Sequence, residues 1–176
     1  MSEKLRVSFN SPQCGWMSFE LRAGEQSVAE AVSHAPYDSL VDLINALVKL
    51  LKDDAELTVK WAHDPDELEF KFGASGDEAR LEVDWYRDSV RDGATGERLF
   101  AFEGSRLDVC YPFWKALSDL QADIEVDEFA RNWRREFPAR EMLRLTAEIE
   151  AEKQKRPLTR NSPRLEGCLR RREGVI

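Results

Sequence analysis

Leu57-Thr58-Val59-Lys60-Trp61, Leu68-Glu69-Phe70-Lys71-Phe72 and Leu81-Glu82-Val83-Asp84-Trp85 repeat one pattern, a large apolar side chain at every second position with a polar residue between. A period of two is that of a β-strand with one buried face. Leu99 to Phe102 supplies a fourth run, and the runs recur at the spacing of antiparallel strands. The segments between them are rich in turn formers: His63-Asp64-Pro65-Asp66, Gly73-Ala74-Ser75-Gly76-Asp77 and Asp92-Gly93-Ala94-Thr95-Gly96. Glycine supplies positive φ and aspartate bonds its own backbone, so each segment has a physical reason to reverse the chain. The stretch from Leu57 to Phe102 is therefore expected to form a meander.

Upstream, Leu5, Val7 and Phe9 alternate with Arg6 and Ser8, and Met17, Phe19 and Leu21 alternate with Ser18 and Glu20. Two further strands follow, joined through the turn-forming segment Asn10-Ser11-Pro12-Gln13-Cys14-Gly15 as a hairpin with a longer loop. Residues 24–33 have mixed character and suit an edge strand. After them Leu40, Leu43, Ile44, Leu47 and Leu51 recur every three or four residues behind the capping residues Asp38 and Ser39, which defines an amphipathic helix. Lys49 and Lys52 fall in its last turns, where they complement the helix dipole.

Downstream of Gly104 the spacing predicts a helix over Val109–Gln121 with Pro112 in its first turn, a second from Asp127 carrying Phe129, Trp133 and Phe137, and a third from Pro138 carrying Met142, Leu145 and Ile149. The fold expected is α+β: an antiparallel sheet of about five or six strands, packed on one face by helices and solvated on the other. Residues 1–152 form the single domain, and residues 153–176 a basic flexible tail.

Charge narrows the functional classes. The chain of 176 residues holds 26 basic and 34 acidic residues, net −8, with 42% hydrophobic residues to build a core. From Lys153 onward there are eight basic residues against Glu166 and Glu173, which leaves residues 1–152 with 18 basic and 32 acidic, net −14. Such a body repels phosphate backbones and anionic headgroups, so neither nucleic acid nor a membrane is expected as its partner. No apolar run approaches the ~18 residues of a membrane span and the first residues lack the pattern of a signal peptide, so the expected compartment is the cytoplasm. Cys14, Cys110 and Cys168 are odd in number without a CxxC spacing, and are expected as reduced, mostly buried thiols rather than as disulfide or zinc ligands.

The phosphate-binding, dinucleotide-binding, zinc-protease, nucleophile-elbow and calcium-loop motifs are all missing from the sequence, and no cofactor or metal is expected. Of the two histidines, His34 is read as a surface residue beside a buried Cys14 thiol and His63 as a solvated turn residue. Glu69, Glu82 and Asp84 share the polar phase of neighbouring strands, where Lys60, Lys71 and Arg80 offer cross-strand ion pairs on a solvated face. A carboxylate pair for acid–base chemistry would instead need a pocket and split pKa values. Trp61 and Trp85 follow the apolar phase and belong to the core. Trp16 falls on the polar phase opposite Met17 and Phe19, which marks it as an exposed interface anchor or as a side chain covered by the C-terminal helices.

Ser11-Pro12-Gln13-Cys14-Gly15-Trp16-Met17, followed by Ala35-Pro36-Tyr37-Asp38-Ser39-Leu40 opening a helix and then a charged meander, resembles small bacterial families of unknown function, some of them immunity proteins of polymorphic toxin systems. The resemblance spans about residues 4–150. It implies a protein-binding domain of the immunity-inhibitor kind and identifies no functional residue; strand phase and the acidic charge of the body supply Trp16, Glu69, Glu82 and Asp84 as candidate partner-binding residues of a non-enzymatic domain that binds a basic partner protein. Two alternatives stay open: a small-molecule-binding or enzymatic domain with a pocket between sheet and helices, and the subunit of a structural homodimer.

Overall fold

In a computed structural model the described residues are 3–88, 96–123 and 126–155. Seven strands follow one another in sequence order in one antiparallel sheet: β1 (Arg6–Phe9), β2 (Trp16–Ala23), β3 (Gln26–Ser33), β4 (Ala55–His63), β5 (Asp66–Ser75), β6 (Glu78–Tyr86) and β7 (Glu97–Ser105). Helix α1 (Ser39–Lys52) interrupts the meander between β3 and β4, and α2 (Arg106–Ala122), α3 (Val126–Trp133) and α4 (Ala139–Lys155) follow it. The fold is α+β as expected, with a strand more than the upper count. β3, expected as an edge strand, has β2 and β4 as neighbours and so is internal. Among the described residues no helix is long and apolar enough to cross a membrane.

The sheet is not flat. Adjacent strands lie about 4.8 Å apart, so β2 and β5, three steps removed, would be roughly 14 Å apart in a plane. Yet the rings of Phe19 on β2 and Phe70 on β5 meet edge to face at 5.1 Å. Likewise the Gln26 carboxamide oxygen on β3 accepts from the main-chain N–H of Ala101 on β7 at 3.2 Å. The sheet folds over at the β3–β4 junction, where pairing is limited to Ser33 and Ala62. The core lies inside this fold. Phe113 of α2 enters it against Phe70 and Phe72, with centroids at 6.2 and 5.7 Å.

Helix α1 buries Leu40, Leu43, Ile44, Leu47 and Leu51, the stripe read from its spacing. Helix α2 begins three residues earlier than the apolar spacing indicates because Ser105 and Asp108 form a capping box: the Ser105 hydroxyl accepts from the Asp108 N–H, and the Asp108 carboxylate accepts from the Ser105 N–H. Pro112 therefore stands in the second turn of α2 rather than the first. Helix α4 starts one residue after Pro138, whose carbonyl accepts from the Met142 N–H at 3.0 Å, and it continues through Lys155, three residues into the expected tail. The remainder of that tail, with Cys168, lies outside the described residues, as does the turn over Asp92–Thr95. Trp114 Nε1 donates to Thr146 Oγ1 at 2.9 Å, which fixes α4 against α2.

Candidate functional site

The polar phase of β4, β5 and β6 forms the outer face of the sheet. Register places Lys60, Glu69, Asp84 and Arg98 side by side across four strands, with Lys71 opposite Glu82 one step along. Glu69 and Asp84 are thus direct cross-strand neighbours of like charge, an arrangement that needs cations to hold it. Lys71 Nζ supplies one, 2.8 Å from Asp84 and 3.5 Å from Glu69. Arg98 supplies the other, donating from Nε to Asp84 and approaching Glu82 at 2.7 Å.

The result differs from a face bathed in water. Glu69 is 4% exposed and Asp84 5%, because the long side chains of their neighbours close over them. Burial pushes the Asp84 carboxyl up, but hydrogen bonds from Arg98 and Lys71 outweigh it and hold the group below the ordinary aspartate range. The hydrogen bonds to Asp84 and to the Tyr86 hydroxyl raise Lys71 above the ordinary lysine value. Asp84 is an anion at neutral pH, the opposite of what a general acid requires. The expected cross-strand ion pairs form, although Arg80, offered as a partner for this group, bonds Glu56 instead at 2.7 Å.

Glu67, which the sequence reading did not select, belongs to the same face. It is 2% exposed, accepts from the Tyr37 hydroxyl at 2.7 Å and faces Lys60 at 3.4 Å. Its phase matches that of Glu69, which was the available signal; the partner Tyr37 lies 30 residues away in the β3–α1 connection and could not be paired by spacing.

Trp16 lies in the same register row as Glu67. Trp16 pairs with Ser33, Ser33 with Ala62, Ala62 with Glu67 and Glu67 with Tyr86, and directly paired residues share a face. The indole is 40% exposed, and the small side chains of Ser33 and Ala62 stand between it and Glu67 in that row.

The turn that carries Trp16 is rigid. Gln13 and Trp16 exchange main-chain hydrogen bonds of 2.8 and 2.9 Å around Cys14 (φ 51°) and Gly15 (φ 84°), a two-residue turn of type I′ that closes the longer loop expected between β1 and β2. The Gly15 N–H donates to the Asn132 carbonyl at 2.6 Å, and the His34 N–H donates to the Gly15 carbonyl at 3.0 Å. A Cβ on Gly15 would lie 2.8 Å from His34 Nδ1, so close packing as well as positive φ demands glycine here. Arg135 closes the brace, donating from Nε to the His34 carbonyl at 3.1 Å and reaching Asp38 at 3.5 Å. His34 is half-buried, edge-on to Trp133 at 6.1 Å, whereas Cys14 is exposed, which reverses the expected roles of surface imidazole and buried thiol. Cys110 is the buried thiol, and burial pushes it far up. His63 is half-buried as well, bridging β4 to β3 through Nε2 to Glu30 at 3.0 Å.

Among the described residues no group of three or more histidines, cysteines, aspartates or glutamates is placed to hold a metal ion. A channel of about 560 Å³ runs between β1 and α2, lined by Leu5, Val7, Leu107, Tyr111, Pro112 and Lys115 among others. No protein-family model, curated protein or solved structure matches the chain.

Proposed function

We propose that this protein is a non-enzymatic protein-binding domain, of the immunity-inhibitor kind, that docks a basic partner protein on the outer face of its sheet with Trp16 as the anchor. The observation that carries the reading is the exposure of Trp16 on a turn braced from β3 and α3. A large aromatic held rigid before contact loses little conformational entropy when it is covered, which is the property of an interface hot spot. The small Ser33 and Ala62 beside it leave room for a partner side chain.

The charge term belongs to the whole body, whose net −14 speeds encounter with a cationic surface. Glu69 and Asp84 act differently from the role first assigned to them: already neutralised by Lys71 and Arg98, they stiffen the face. Glu82, with a side chain 30% exposed, is the member of the three best placed to meet a partner.

The test is affinity capture followed by association kinetics against sodium chloride. Trp16→Ala is expected to quicken dissociation about tenfold or more at unchanged fold, and Glu82→Gln to slow association and flatten its salt dependence. A partner that leaves the Trp16→Ala variant no faster than the parent protein rules out this mode of docking.

A further inference from the structure

We propose that the channel between β1 and α2 is a strand-addition site, taking an extended segment of another protein in which apolar residues alternate with acidic ones. The inference stands apart from the Trp16 face and rests on the unpaired side of β1.

The Asn10 N–H donates to the Ser18 carbonyl at 2.9 Å, which fixes the phase of the β1–β2 ladder. In an antiparallel pair, residues alternate between exchanging both hydrogen bonds with the partner strand and pointing both main-chain groups away from it. Register pairs Ser8 with Glu20 and Arg6 with Arg22 in the bonded phase of Asn10 and Ser18. The N–H and C=O of Val7 and Phe9 therefore point away from β2, on the side where, among the described residues, the sheet has no further strand. Leu5, one step before the strand, continues that phase.

Beyond this edge the wall is helix α2, which presents Leu107, Tyr111 and Pro112, with Lys115 at one end. The volume of about 560 Å³ is in the range of binding clefts. A strand laid along β1 would bond Val7 through its main chain and turn alternate side chains inward, onto Leu5, Val7, Leu107 and the Tyr111 ring, which is 37% exposed.

Charge selects the other phase of that strand. Lys4 and Arg6 project from the outward face of β1 and both are exposed. Arg6 stands directly opposite Arg22, whose guanidinium is already bonded to Glu20. An acidic side chain on an added strand would sit beside Arg6, for which the neighbouring strand offers an arginine opposite rather than a carboxylate. Asp108, the nearby carboxylate of α2, is already committed to the capping box with Ser105.

The experiment uses the full chain and two acetylated, amidated peptides, Glu-Val-Glu-Leu-Glu-Val and its counterpart with lysine in place of glutamate. Binding is followed by fluorescence anisotropy of labelled peptide, and the edge by amide hydrogen exchange at Val7. The acidic peptide is expected to bind saturably and slow exchange of the Val7 amide, with the lysine peptide about tenfold weaker or more. In the doubly substituted Lys4→Glu, Arg6→Glu protein that order should reverse, and Trp16→Ala should leave it intact. Absence of saturable binding overturns the proposal. So does binding that leaves Val7 exchange unchanged, or an order of preference that the double substitution does not alter. None of these results bears on the Trp16 surface.

Discussion

Arg106, the first residue of α2, donates from Nη1 to the main-chain oxygen of Asp53, 2.7 Å away, just past the last turn of α1. The same nitrogen also bonds the Leu50 carbonyl, Nε bonds the Gly76 carbonyl at 2.7 Å, and Nη2 bonds the Asp54 carboxylate at 2.5 Å. One buried guanidinium thus satisfies carbonyls that the end of a helix leaves unpaired and ties them to the β5–β6 turn. Arg106→Ala should cost roughly 2–4 kcal/mol in denaturant unfolding, because it leaves those acceptors without a donor in a site too enclosed for free hydration. Arg106→Lys should recover only part of that, since an ammonium lacks the planar fork. A cost below about 1 kcal/mol for the alanine variant would show that water replaces the clamp.

The strands and helices were legible in the sequence because their contrast is strong: the alternation of Leu68, Phe70 and Phe72 with Glu69 and Lys71 admits one face and one period. β3 was misplaced as an edge because Ala29, Ala31, Ser27 and Ser33 carry too little contrast to show which neighbours the strand has. The folding over of the sheet was illegible for another reason. Alternation specifies which face Phe19 and Phe70 occupy, but not the curvature that brings the two faces together. At the candidate site phase put Trp16 on the polar side of β2 but left open whether it is exposed or covered by the C-terminal helices, because phase does not say where those helices pack. The burial of Glu69 and Asp84 did not follow from phase, because it depends on how far Lys71 and Arg98 reach across strands.

The Asp84 network sets a dependence on pH at both ends. Asp84 has its pKa lowered on folding, so its contribution to stability is full above the unfolded value of 3.8 and is lost as pH falls through the folded one. Lys71 has its pKa raised, so its contribution is full below 10.5 and is lost as pH rises through the folded value. Asp84→Asn should therefore destabilise the protein at pH 7 by roughly 2–3 kcal/mol and flatten the fall in stability below pH 4. Urea unfolding at a series of pH values measures both. An acid limb of unchanged slope in the variant would assign that limb to other carboxylates.

Gly15→Ala should be costly for its size. The new methyl would need a φ of 84° and would lie 2.8 Å from His34 Nδ1, so the turn must shift or the imidazole must leave its place against Trp133. A loss of about 1–3 kcal/mol is expected, together with a change in tryptophan emission as Trp16 and Trp133 alter their surroundings. Gly76→Ala, at a φ of 59° with open space around its Cβ, provides the comparison for positive φ alone. Equal costs at the two positions would mean that the contact with His34 contributes nothing.

The folding over of the sheet can be measured as a coupling between Phe19 and Phe70. If the sheet were flat the two rings would be roughly 14 Å apart, and substitutions at such a distance with no shared partner add within about 0.5 kcal/mol. At 5.1 Å and edge to face, they form an aromatic pair worth about 0.5–1.5 kcal/mol beyond the area each buries. Leucine is the suitable replacement, because it keeps the site apolar and limits the cavity. Phe19→Leu and Phe70→Leu are each expected to cost about 1–2 kcal/mol, and the double variant less than the sum by about 1 kcal/mol, since the second substitution has no ring left to lose. Trp61 touches both rings, at 6.4 and 5.5 Å, so the cycle should be repeated in a Trp61→Leu background to separate direct from relayed coupling. Strict additivity in both backgrounds would be incompatible with Phe19 packing on Phe70, and with it the sheet would have to be flatter than described.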